Sequence, residues 1–161
     1  MFRKPFGRPP RLDAAPSRAM AADIHEALAR LLPRWQAMGV EPLPPVPASD
    51  VRGIFARLGA FATPDVVLLY GAIGGMRDMD DDSYLRLWPL DEIAAQPRSD
   101  RGVEFADYLI SCWGYRLSAV SEDQSAVRVE HYDDKTMRVG PTLEAFLITL
   151  EHEADFLHGL G

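Results

Sequence analysis

GVEFADYLISCWGYRLS, residues 102 to 118, is the densest aromatic and apolar stretch of the chain, and how it is read decides the fold. Successive side chains of an extended backbone point to opposite sides. Val103, Phe105, Leu109, Trp113, Tyr115 and Leu117 therefore share one face, and Glu104, Ala106, Tyr108, Cys112 and Arg116 share the other. The odd-numbered face is built for burial. The run is about twice as long as a usual strand, and Asp107 and Ser111 interrupt it. A bend or bulge is expected between Asp107 and Cys112, giving two short strands rather than one long one.

Downstream of this stretch, Val127 to Tyr132 alternates again, and Asp133 to Thr136 turns the chain into Met137 to Val139, which predicts a hairpin. Pro141 and Thr142 then open a final helix with an apolar stripe of Leu143, Phe146, Leu147, Leu150, Ala154 and Leu157. Upstream, Tyr84 to Trp88 reads as a short strand ending at Pro89, followed by a helical turn in LDEIAAQ.

The first half of the chain is helical in pattern. Ile24, Leu28, Leu31, Trp35 and Met38 line one side of a helix that begins at Ser17 or Asp23, kinks or restarts at Pro33 and ends at Gly39. EPLPPVP, residues 41 to 47, is a stiff extended connector. Ser49 or Asp50 caps a short helix carrying Val51, Ile54, Phe55 and Leu58, which stops at Gly59. Thr63 as N-cap, Pro64 at the first helical position and Asp65 in the first turn start another, which Gly74 and Gly75 end. Helices, then strands, then a helix indicate an α+β domain with a mixed or antiparallel sheet, the N-terminal helices and the C-terminal helix packing on it.

The chain has 161 residues, nearly half of them apolar, which suits one domain with a substantial core. Residues 1 to 16 hold prolines and arginines without apolar periodicity and are expected to form a loose basic arm, with residues 17 to 161 as the domain. No run is apolar enough to span a membrane, and no apolar segment follows the basic residues of the N-terminus, so a cytoplasmic protein is expected. The single Cys112 makes no internal disulfide and reads as a small core residue. Residues 1 to 18 carry +4 and the remainder −11. Such an acidic body disfavours nucleic acid and favours a basic partner, although plain solubility accounts for it equally well.

Three pieces taken in order, ATPDVVLLYGAIGG at 62 to 75, GVEFADYLISCWGYRLS, and the hairpin leading into VGPTLEAFLITL, resemble the SUKH superfamily. That group comprises bacterial immunity-type domains and includes the yeast cell-wall-synthesis regulator. Thr63, Pro64, Tyr70, Gly74, Gly75, Pro141, Thr142, Phe146 and Leu147 carry the resemblance, which spans residues 45 to 150. It implies a single α+β domain that binds and neutralises a toxin effector, and it lends no catalytic residues. The basic arm and the long first helix depart from the family pattern.

The catalytic and metal motifs all break off. His152-Glu153 begins like a zinc HExxH, but Phe156 stands where the second histidine belongs. Asp78, Asp80, Asp81 and Asp82 open like a calcium loop, yet Ser83 replaces the required glycine and Pro89 the closing glutamate. The glycines at 71, 74 and 75 lack a phosphate loop's lysine, and Cys112 with His131 lacks an orienting third group. Neither cofactor nor metal is expected. Trp113, Tyr115 and Trp88 suit either a core or an exposed anchor, with Trp113 read as core.

The acidic run should stand in water, because like charges so close together repel. Asp80, Asp81 and Asp82 are accordingly the first candidates for contact with a basic toxin effector or other protein, and Glu104, Asp107 and Arg116 are the second. Two further readings are a small hydrolase using carboxylates and histidine, and a regulatory scaffold.

Overall fold

The computed structural model describes residues 18–81, 83–109, 112–132 and 137–152, excluding the side chains of 137–139 and 152. Five strands, β1 (Leu85–Leu87), β2 (Val103–Tyr108), β3 (Trp113–Ala119), β4 (Ser125–His131) and β5 (Met137–Thr142), pair in chain order as one antiparallel meander. Helices α1 (Arg18–Ala37), α2 (Ala48–Arg57) and α3 (Pro64–Ala72) precede the sheet, α4 (Leu90–Ala95) links β1 to β2, and α5 (Leu143–His152) follows β5. The α+β class and the antiparallel sheet agree with the order of patterns in the sequence.

The central stretch forms two strands, and the chain bends back between them in the expected interval, with the Cys112 amide donating to the Tyr108 carbonyl at 2.9 Å. A bulge is also present, at Phe105, between the pairs Glu104 with Arg116 and Ala106 with Tyr115. One extra residue shifts the alternation by one. Phe105, Ala106 and Tyr108 thus all join the apolar side, and Asp107 moves to the side of Glu104. Cys112, expected in the core, lies in the turn and is exposed.

The apolar side packs on α5. Phe146 meets Phe105 with ring centroids 6.1 Å apart and Tyr115 at 5.4 Å. Leu143, Phe146, Leu147 and Leu150 are fully buried, as are Ile24, Leu31 and Trp35 of α1. Ala154 and Leu157 lie outside the described residues. Thr142 ends β5 and caps α5, its hydroxyl accepting from the Ala145 amide at 3.2 Å.

α1 runs unbroken through Pro33, which lies in its last turns and removes only the donor that would face Ala29. α2 starts two residues before Asp50, with Pro47 at its N-cap and no side-chain cap. α3 begins where expected, but the Thr63 hydroxyl does not cap it. It bonds instead to Asp65 Oδ1 (2.5 Å) and Ser125 Oγ (2.6 Å), while Asp65 Oδ2 accepts from the Ser125 amide at 2.8 Å. This fully buried node fastens α3 to the start of β4.

The proline-rich connector is also fastened down. The Leu43 amide donates to the Gly75 carbonyl (2.9 Å), the Gly74 amide to the Leu43 carbonyl (3.1 Å) and the Val46 amide to the Tyr70 carbonyl (2.8 Å). A side chain at Gly74 would run into the Pro44 carbonyl, so that glycine permits close approach as well as ending the helix.

Candidate functional site

The side of the sheet away from α5 carries charge. Strand pairing brings Glu104, Arg116 and Arg128 into one row, and Asp107, Gly114 and Glu130 into the next, with Arg86 beside Asp107. Arg116 is the hub. Its Nε donates to Glu130 Oε2 at 2.5 Å, its Nη2 to Glu104 Oε2 at 3.3 Å and its Nη1 to the Gly102 carbonyl at 3.1 Å.

Arg101 donates to the second oxygen of Glu130 at 2.5 Å, and the Tyr132 hydroxyl donates to the second oxygen of Glu104. Arg86 lies 3.7 Å from Asp107 and holds Glu92 of α4 through two hydrogen bonds of 3.0 and 2.8 Å. Gly114 lies beneath the network, where an added Cβ would come within 2.5 Å of Glu104 Oε1. Where β1 has ended, β2 is braced by Gln96, whose side-chain amide bonds both the Glu104 amide and carbonyl at 2.9 Å.

Acids and bases are unequally exposed. The Glu104, Asp107 and Glu130 side chains keep 8, 7 and 6% of their surface, against 16% for Arg116, 23% for Arg86 and 37% for Arg101. Water and any partner therefore meet mainly guanidinium groups held in place by buried carboxylates. Burial pushes the Glu104 carboxyl above the usual carboxylate range; the Tyr132 hydrogen bond and Arg116 oppose this, and the nearby Glu130 and Asp107 reinforce it. The lattice is close to electroneutral, so it supplies orientation rather than long-range attraction.

The structure thus brings Glu104, Asp107 and Arg116 together and separates them from the acidic run. Within that run Asp80 corrects the expectation of solvation: it is fully buried. Its Oδ2 accepts from Trp35 Nε1 at 2.7 Å and Ser83 Oγ at 2.9 Å, and lies 3.4 Å from Arg34. Arg34 in turn donates to the Glu151 carbonyl at the end of α5 (3.3 Å). Asp80 is a clamp between α1, α5 and its own loop, and these donors repay its burial in hydrogen bonds. Asp78 and Asp81 are exposed, and Asp82 lies outside the described residues.

Sequence reasoning missed Glu130, Arg101, Arg86 and Tyr132. The available signal was the alternation Arg128, Glu130 within β4, whose alignment with Glu104 and Arg116 depends on strand register.

A cleft of about 580 Å³ between α2 and α4 has Ile54 and Leu90 among its walls, and one of about 160 Å³ between α1 and α5 has Glu26 and Glu151. Neither includes His131 or the acidic run. Among the described residues no group of three His, Cys, Asp or Glu is placed to hold a metal, and no helix is long and apolar enough to cross a membrane. No family model matches the sequence, and neither does any curated protein.

Proposed function

We propose that the chain is a non-enzymatic binding protein of the immunity type, which occludes a toxin effector in the cytoplasm through the outer face of its sheet. The observation that carries this reading is the lattice of guanidiniums locked by buried carboxylates. Side chains already held in one geometry lose little freedom on docking, and their fixed pattern of donors selects a register. The net charge of −7 and the exposed Asp78 and Asp81 supply attraction for a basic effector at longer range. The hydrolase alternative needs His131 near the acidic run. Leu85, Tyr108, Trp113 and His131 are successive partners across four strands, which puts His131 about 14 Å from β1 at a spacing of ~4.8 Å per strand. That separation supports binding over hydrolysis.

The test is to identify the genes adjacent to the one for this chain and to co-express the chain with any toxin they encode. The chain should restore growth and co-purify with the toxin, and Arg101→Ala and Arg101→Glu should each weaken both while the purified variants remain folded by circular dichroism, because Arg116 still pairs Glu104 and Glu130. Absence of a complex with the parent chain overturns the effector reading. A complex indifferent to the two substitutions overturns the choice of surface.

A further inference from the structure

Among the described residues the non-glycine positions with positive φ are Tyr84 (55°) and Leu109 (48°). A bulky residue in the left-handed region carries a steric cost that glycine avoids. Buried side chains commonly offset such strain by packing, but these two are among the most exposed large apolar residues, at 37 and 39%. They are also neighbours: the Leu109 amide donates to the Tyr84 carbonyl at 3.0 Å, joining the loop before β1 to the β2–β3 turn. Strain is thus retained at two touching positions where a large side chain faces water. Strained backbone at exposed positions is a feature that functional surfaces share.

Behind these two residues lies a row of rings. Tyr84 meets Tyr108 edge-on at 6.2 Å, Tyr108 stacks on Trp113 at 4.3 Å with planes 10° apart, and Trp113 meets His131 at 5.3 Å. The Trp113 indole is held in place by its N–H donating to the Tyr115 hydroxyl at 2.8 Å. The buried Asp80 fixes the loop on the other side, with the Tyr84 amide bonded to its carbonyl at 2.7 Å. Rigid rings with little freedom to lose are what binding hot spots are made of. The row belongs to the helix-side face of the sheet, so it is separate from the charged lattice.

We infer that this tip is a second docking surface, and that it takes a protein segment in which a large apolar side chain is flanked by lysine or arginine. The apolar anchor covers Tyr84 and Leu109. The basic flanks meet the exposed Asp78 and Asp81, opposed only in part by Arg77, and the aromatic faces favour cations as well. A second copy of the chain is a poorer occupant, because each copy brings a net charge of −7.

The experiment pans a random twelve-residue display library against the full chain and counter-selects on the Tyr84→Gly, Leu109→Gly double variant. Synthetic versions of the enriched peptides are then titrated against both proteins. The expected result is a consensus with Lys or Arg within two residues of a large apolar side chain, and at least tenfold weaker binding to the variant. The variant should remain folded and melt within a few degrees of the parent, since the relief of strain is offset by the lost contact of Tyr84 with Tyr108. Three results overturn the inference: no enriched peptide sensitive to the substitutions, a consensus that is acidic or purely polar, or a variant that melts well below the parent. A single-stranded oligonucleotide titrated in parallel should not bind, and tip-dependent binding of it would replace a protein partner with a nucleic acid.

Discussion

The two faces of one sheet are held by different physics. On the helix side Phe105, Tyr115 and Phe146 exclude water, and stability grows with the apolar area covered. On the outer side three nearly buried carboxylates sit under three more exposed guanidiniums, and much of the Coulomb attraction there only offsets the cost of desolvating the acids. The first face should be energetically steep and chemically permissive; the second should be shallow and chemically exact in what it will accept.

The steep face is tested by Phe146→Ala, which removes the ring between β2, β3 and α5. A loss of about 3–5 kcal/mol is expected in urea unfolding. A loss under about 1 kcal/mol would mean that the two faces do not differ as described. On the shallow face Glu130→Ala removes the carboxylate shared by Arg101 and Arg116. About 2 kcal/mol is expected, because water replaces part of what these partly exposed guanidiniums lose. A loss matching that of Phe146→Ala would make the outer face a second core.

The pH dependence separates the faces further. Glu104 is raised by burial, so the folded chain holds its proton more tightly than the unfolded chain does. Its contribution to stability is therefore greatest at low pH and falls as pH rises from about 4, the unfolded value, through the raised folded value. Asp65, raised by the burial of its node, acts in the same direction. Glu104→Gln should flatten that part of the decline, measured as unfolding midpoints from pH 4 to 7 relative to the parent. Parallel profiles would show that Glu104 is not desolvated in the folded chain.

The inner face was legible because helix and strand periodicities can be read from one segment at a time: the stripe Leu143, Phe146, Leu147, Leu150 needs no knowledge of its partner. The outer face was legible only in pieces. Glu104, Asp107 and Arg116 lie in one segment, whereas Glu130, Arg101 and Arg86 reach them through pairing register, which no local pattern specifies. The bulge at Phe105 inverted the reading of Asp107, since one extra residue exchanges the faces. Asp80 failed for a related reason. Charge repulsion within DDD is a local argument, and the donors that override it, Trp35 and Arg34, come from a helix some 45 residues earlier in the chain.

The smallest effect expected is at the rim. Glu92 is 42% exposed and grips Arg86 through two hydrogen bonds, a geometry that looks strong on paper. Exposure decides against it: water competes for both groups, salt screens them, and holding two long side chains together costs entropy. Glu92→Gln should therefore change stability by no more than about 0.5 kcal/mol. Raising the salt to about 1 M should shrink even that difference, because the Debye length there is only about 3 Å. Arg86 would still face Asp107, whose side chain is only 7% exposed, and that pairing should keep the guanidinium in place. A loss of about 2 kcal/mol that persists in high salt would show that the lattice extends its strength into α4, and the shallow face would have to be redrawn to include that helix.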